Sequence, residues 1–243
     1  MNDKKPFLVL FPGGWGNRTP ELVEWWFRHV ISHFSDHYQI VTITYAGKNM
    51  DEYIHHSLDQ LKEIPDGSRV ICYSMGTQIA RGVAQKRPKL FRKAVFISGL
   101  ETFGIRLAVL FAGVCIGIIP FLRTLFGQPL TFDTIEQCRR IFFTGKDEHT
   151  PDASIQKFMS QRIVPEPARV VLRLALPFLR KRMKPLPCPV LAIVPKNDFF
   201  VQNAQYPGES IKRIDIPGNH ALLCYKENRL KNELDRIGLW LEN

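Results

Sequence analysis

Three short runs, VICY at Val70–Tyr73, AVFIS at Ala94–Ser98 and PVLAIV at Pro189–Val194, are apolar at nearly every position. Side chains of a strand alternate between the two faces of its sheet, so a strand without alternation needs cover on both faces. Runs of this length are also too short to be buried helices. They therefore predict central strands of a mostly parallel sheet, and a parallel sheet obliges the rest of the chain to supply crossover helices.

The flanking sequence supplies them. Period and punctuation predict a strand at Phe7–Phe11, a helix at about Pro20–Phe34, a strand at Gln39–Thr44, a helix at about Met50–Glu63, a strand at Arg69–Tyr73, a helix at Met75–Lys86 and a strand at Lys93–Ser98. The alternation stops at Gly99 and resumes at Pro189, followed by a strand at Ser210–Ile216 and a closing helix from Ala221 to Leu241. Between lies an insertion of helical character, delimited at its end by Pro185, Pro187 and Pro189. Residues 1–100 and 188–243 thus form the expected core, and residues 101–187 a lid or cap. A chain of 243 residues with 45% hydrophobic content is long enough for one sizeable core plus such a cap.

The five cysteines, Cys72, Cys115, Cys138, Cys188 and Cys224, are odd in number, widely spaced and mostly in apolar contexts. No zinc spacing or disulfide framework is visible, and reduced thiols in a cytoplasmic protein are the expectation. The apolar run near the N-terminus, Phe7–Phe11, ends in Pro-Gly-Gly and is too short for a signal-peptide core. The net charge of +10 is uneven: +4 for residues 1–100, +6 for 101–184 and 0 for 185–243. Arg173, Arg180, Lys181, Arg182 and Lys184 form a cluster without acidic neighbours in sequence; Lys86, Arg87, Lys89, Arg92 and Lys93 form another. Solvated helix ends explain both, and an acidic partner or an anionic lipid surface is the alternative. No recognition motif accompanies the charge, so nucleic acid is not expected.

Ser74 stands between VICY and the helix that follows, in Cys72-Tyr73-Ser74-Met75-Gly76. A serine is a poor nucleophile until a base takes its proton, so a catalytic Ser74 needs a histidine, an acid to orient it, and donors for the developing oxyanion. His220, in IPGNHALL, follows the last predicted strand, and Asp198, in AIVPKNDFFV, follows the strand before it. In a parallel sheet all three residues fall on loops at the carboxyl ends of strands, where ligand sites of open α/β sheets gather. FPGGWGN, after the first strand, falls at the same edge, and its glycines let backbone N–H groups approach a ligand. Other candidates fare worse. Asp147 lies inside the insertion, and Asp215 reads as a strand residue. His29, His33 and His37 have metal-like helical spacing without a completing carboxylate or cysteine and read as surface histidines, so neither metal nor cofactor is implied.

On these residues the chain resembles the α/β-hydrolase superfamily over most of its length outside the insertion. The resemblance implies a sheet of about six strands, shortened at its N-terminal side, with helices on both faces and a helical lid. It matches the nucleophile elbow to Ser74 and the order Ser…Asp…His to Ser74, Asp198 and His220. It implies an oxyanion hole from the backbone N–H groups of Met75 and Gly14. Departures from the usual pattern are Cys72 at the first glycine of the elbow, Thr77 where a small residue often follows, Pro12 in place of histidine, and TYAGKNM without a glycine-rich turn.

Within the insertion, Arg106 and Arg123 bracket sixteen uncharged, mostly apolar residues, Leu107–Leu122. A membrane span needs roughly twenty, and Pro120 interrupts this run, so a buried or cleft-lining lid helix is expected, with an interfacial helix as the alternative. Phe103, Phe111, Phe121, Phe126, Leu176 and Phe178 add to the apolar supply. The expected substrate is a carboxylic ester or thioester with a hydrophobic acyl part, contacted by Trp15, Tyr73, Phe111 and Phe199. Joining the basic cap to this lining gives a sharper expectation: the acyl chain arrives on an acidic carrier protein that docks at Arg180, Lys181 and Arg182, as for the carrier-linked methyl esterases of biotin synthesis in the same superfamily. A non-catalytic binder of a hydrophobic ligand and a lipase-like membrane-associated protein are the competing classes.

Overall fold

The structure, a computed structural model, describes residues 5–101, 117–144, 150–176, 183–201, 203–224 and 227–243. Its centre is one six-stranded sheet, every strand parallel to its neighbours. The strands are β1 (Phe7–Phe11), β2 (Gln39–Thr42), β3 (Ser68–Tyr73), β4 (Phe91–Ile97), β5 (Val190–Pro195) and β6 (Ile211–Ile216), in spatial order β2-β1-β3-β4-β5-β6. The apolar runs VICY, AVFIS and PVLAIV occupy the three positions β3, β4 and β5. Their alternate residues feed two separate cores. Val9, Phe11, Val70, Cys72, Ala94, Phe96, Val190 and Ala192 pack into one, whereas Leu8, Leu10, Ile71, Tyr73, Val95, Ile97, Leu191 and Ile193 pack into the other.

Helices α1 (Pro20–Phe34) and α8 (Glu227–Glu242) cover the second face, and α2 (Met50–Gln60) and α3 (Gly76–Lys86) the first. The α1 start is written in Thr19-Pro20: the threonine hydroxyl accepts from Leu22 N–H, and the proline takes a first-turn position that needs no N–H. Asn49 caps α2 in the same way, accepting from the amides of Asp51 and Glu52. The closing helix differs from expectation. A 3-10 turn at Leu222–Cys224 precedes it, and α8 begins at Glu227 rather than at Ala221, because the Asn219 side chain takes the Ala221 N–H and starts a separate tight turn.

Between β4 and β5 lie the helices α4 (Ile118–Leu125), α5 (Ile135–Phe142), α6 (Asp152–Arg162) and α7 (Ala168–Ala175). The apolar run Leu107–Leu122 is described only at its end. There the expectation of burial fails: Ile119 and Leu122 are exposed, as are Leu125 and Phe126, while the short helix α4 packs against α7. Phe126 is 85% exposed. Phe111, Asp147, Arg180, Lys181 and Arg182 lie outside the described residues. No helix among the described residues is long and apolar enough to cross a membrane.

Candidate active site

The turn from β3 into α3 carries Ser74 with φ +50°, a left-handed conformation that a non-glycine residue adopts at a cost. Two features hold it there. Ser74 N–H donates to the Ile97 carbonyl, and the Thr77 hydroxyl donates to the Ser74 carbonyl at 2.8 Å. Close packing permits it: Gly13 lies against the Tyr73 ring and Ser74 Cβ, and Gly76 against the main chain of β1. Cys72 needs no glycine because it is still within β3, paired with Phe11 and Phe96, its side chain in the core. The positive φ falls on Ser74 alone in this motif. Thr77 likewise contributes rather than intrudes, since its hydroxyl also accepts from Leu100 N–H.

His220 and Asp198 meet Ser74 from the loops after β6 and β5. Ser74 Oγ is 2.9 Å from His220 Nε2, and His220 Nδ1 is 3.0 and 2.9 Å from the two Asp198 carboxylate oxygens. All three side chains are almost wholly buried. Asp198 is oriented by its own turn, its Oδ1 accepting from the amides of Phe200 and Val201. Asn197 N–H donates to the Gly218 carbonyl, which ties the acid's loop to the histidine's. The imidazole is walled by the rings of Phe200 and Phe142, with centroids 4.9 and 5.6 Å away.

Gly14 and Met75 both stand at Ser74, on the wall of the same cavity. Met75 is the N-cap of α3, where a helix leaves its N–H groups without intrahelical acceptors and its dipole is positive. Pro12, in the usual histidine position, offers its carbonyl to the buried Tyr45 hydroxyl. Burial holds that phenol far above its ordinary titration range.

The cavity beside Ser74 has a volume of about 40 Å³, and its apolar wall is made by Trp15, Met75, Leu100, Val171, Leu174 and Phe200. Trp15 is one of the residues of that wall. Two other expected contacts are corrected. Tyr73 lies beneath the site, its hydroxyl donating to the His220 main-chain carbonyl and its ring against Trp26, because a strand residue next to Ser74 points to the opposite face. Phe200, not Phe199, lines the cavity: Asp198 Oδ1 accepts from the Phe200 N–H, and the Phe199 ring packs edge-on against the Phe200 ring and the second core. Asp215 is a β6 residue paired with Arg213, and His33 lies at the surface 3.5 Å from Asp235.

Sequence reasoning missed Glu166. It lies between α6 and α7, is 2% exposed, and shares the cavity wall with Ser74. Its carboxylate accepts from Tyr53 Oη at 2.6 Å, Trp15 N at 2.9 Å and Asn17 Nδ2 at 3.0 Å. Burial first, and then the charge and acceptor oxygen of Glu166, hold the Tyr53 phenol protonated far above its ordinary range. The only available signal was a charged residue between two prolines, Pro165 and Pro167.

Comparison of the coordinates with solved structures settles the architecture. An extracellular α/β-hydrolase from a Paenibacillus species superposes with a TM-score of 0.68 over 95% of this chain and 97% of its own, at 17% identity. The chain has the α/β-hydrolase fold. A carboxylesterase from Bacillus subtilis (TM-score 0.62, 13% identity, 98% of this chain and 84% of its own) shares this α/β-hydrolase architecture, as does a pyrethroid hydrolase from Sphingobium faniae (0.63, 16%, 98% and 98%). No protein-family model and no curated protein matches the sequence.

Proposed function

We propose that the protein is a serine hydrolase that cleaves a carboxylic ester or thioester with a hydrophobic acyl part. The observation that carries this reading is the unbroken hydrogen-bonded series from Ser74 Oγ through His220 to the Asp198 carboxylate. Ser74 attacks the carbonyl as His220 Nε2 takes its proton. Asp198 keeps the imidazole in the tautomer that accepts at Nε2 and stabilises the cation that forms. The Met75 and Gly14 amides receive the oxyanion, His220 returns the proton to the leaving group, and water releases the acyl-enzyme by the same path. Hydrolase and esterase names among the fold's solved relatives agree with this chemistry.

The test is labelling by a fluorophosphonate. Stoichiometric modification at Ser74, lost in His220→Ala, is the expected result; Asp198→Asn should lower kcat by about 10⁴-fold while leaving the fold intact. An unlabelled wild-type protein overturns the reading in favour of a ligand binder.

The acidic-carrier proposal rests on charge. Arg173 leaves that cluster, because its guanidinium reaches Asp51 at 2.7 Å. Turnover of a carrier-linked ester that ignores ionic strength, and ignores charge reversal at Arg180, Lys181 and Arg182, would remove the idea. The exposed Ile119, Leu122, Leu125 and Phe126 on and beside α4 favour a peripheral lipid contact, to be read by liposome flotation.

A further inference from the structure

A trans peptide points its C=O and N–H in opposite directions, so whatever holds the carbonyl of one residue aims the amide of the next. The Gly13 carbonyl accepts from Asn17 Nδ2 at 3.0 Å, and the amide on that same peptide is that of Gly14. Asn17 is wholly buried, and both neighbours of its nitrogen are acceptors, which fixes the orientation of its amide. The second acceptor is Glu166 Oε2, and the same oxygen accepts from Trp15 N–H at 2.9 Å, which fixes the next peptide in the turn. Trp15 has φ +65°, a conformation that a bulky residue keeps only when its surroundings impose it. The imposition comes from the segment between α6 and α7: Glu166 takes the Trp15 N–H, and Val164 N–H donates to the Trp15 carbonyl at 2.7 Å. Glu166 is itself fixed by Tyr53 from α2 and by paired main-chain bonds with Leu130.

We infer that Asn17 and Glu166 are positioning residues for the oxyanion hole, through which the insertion between β4 and β5 holds the Gly14 amide on Ser74. This deepens the hydrolase reading and rests on it for its catalytic consequence, whereas the hydrogen bonds to Trp15 and Gly13 do not depend on that reading. A donor moved by about 1 Å from the developing charge costs about 100-fold in rate, because the interaction forms fully only in the transition state. Removing either side chain should therefore lower kcat and leave KM nearly unchanged.

The experiment compares wild type, Glu166→Ala, Glu166→Gln and Asn17→Ala in three readouts: turnover of p-nitrophenyl acetate, inhibition by a trifluoromethyl ketone whose adduct carries an oxyanion, and the backbone amide signals and hydrogen exchange of Gly14 and Trp15 by NMR. Glu166→Ala and Asn17→Ala should lower kcat about 10- to 100-fold, weaken the ketone in proportion, and shift the Gly14 and Trp15 signals. Glu166→Gln keeps one acceptor oxygen for Trp15 and Asn17 and should recover part of both losses, and it stands in if the alanine variant does not fold. Unchanged Gly14 and Trp15 signals overturn the inference, and so does a loss confined to KM. A wild-type protein that neither turns over ester nor takes up fluorophosphonate overturns the hydrolase reading instead.

Discussion

Gly76 is in contact with the main chain of Phe11: a Cβ at residue 76 would lie 2.4 Å from the Phe11 carbonyl oxygen and 2.7 Å from that of Pro12. The start of α3 is thereby pressed against the end of β1, and the two backbone segments have no room for a side chain between them. Backbone atoms do not rotate aside as a flexible side chain would.

Gly76→Ala should therefore destabilise the fold by about 1–3 kcal/mol, the range for overpacking, and displace Ser74 relative to the Gly13–Gly14 turn. Denaturant unfolding and fluorophosphonate labelling measure the two effects. A variant of unchanged midpoint that labels at the wild-type rate would contradict the close approach.

On the hydrolase reading, the 40 Å³ beside Ser74 has room for a short acyl group only, and Leu174 on α7 bounds it. Among p-nitrophenyl esters, kcat/KM should be highest for acetate to butyrate and fall for octanoate. Leu174→Ala should move the optimum toward longer chains, by about tenfold in the octanoate-to-acetate ratio, since each buried methylene contributes about 0.8 kcal/mol. A ratio that does not respond places the acyl chain elsewhere.

The side chains of Arg81 and Glu209 are completely buried and bonded at 2.9 and 3.0 Å, and Arg81 also donates to the Leu100 carbonyl. They join the helix after Ser74 to the loop that leads into β6. Removing one partner leaves a charge without compensation, so Arg81→Met or Glu209→Gln should cost about 3–5 kcal/mol, while the double variant Arg81→Met/Glu209→Leu should cost less than either alone. Urea unfolding of the three variants tests the order.

Burial pushes the thiols of Cys138 and Cys188 up to about 12, with the charge of Glu209 adding to the effect at Cys188. An unfolded thiol releases its proton near pH 8.5, so between about 8.5 and 12 the unfolded chain binds fewer protons than the folded one. Stability from these groups is complete below about pH 8.5 and declines as the pH rises, by up to about 1.4 kcal/mol per unit for each thiol. Unfolding midpoints should fall from pH 8 to pH 10, and neither cysteine should react with a disulfide reagent in the native protein at pH 8.

The sheet was legible because two-sided burial leaves a plain mark: VICY, AVFIS and PVLAIV have no polar face, and each became a central strand. Ser74, Asp198 and His220 were legible for a related reason, since each directly follows a strand and parallel strands deliver such positions to one edge. Phe199 and Phe200 show the limit. Pattern places both after β5, but only the Asp198 turn decides which one faces the cavity. Glu166 was illegible because nothing periodic surrounds it; its role comes from meeting Trp15, Asn17 and Tyr53 in space. The start of α8 was misplaced because Ala221, Leu222 and Leu223 have helical composition, and the Asn219 side chain that starts their separate tight turn is a local geometric event.

The hydroxyl of Tyr73 reaches the main chain of His220, and Tyr73 is covalently joined to Ser74. Ser74 and His220 thus share a mechanical frame: displacement of the end of β3 carries the histidine loop with it. The sheet therefore helps to set their separation, and the inserted helices reach the histidine loop as well, since the Ala221 N–H donates to the Phe142 carbonyl of α5. The Gly13–Trp15 turn takes its bracing from the segment between α6 and α7. The Ser74–His220 pair and the Gly13–Trp15 turn therefore lean on the sheet to different degrees, and a displacement of the region between β4 and β5 would register in both.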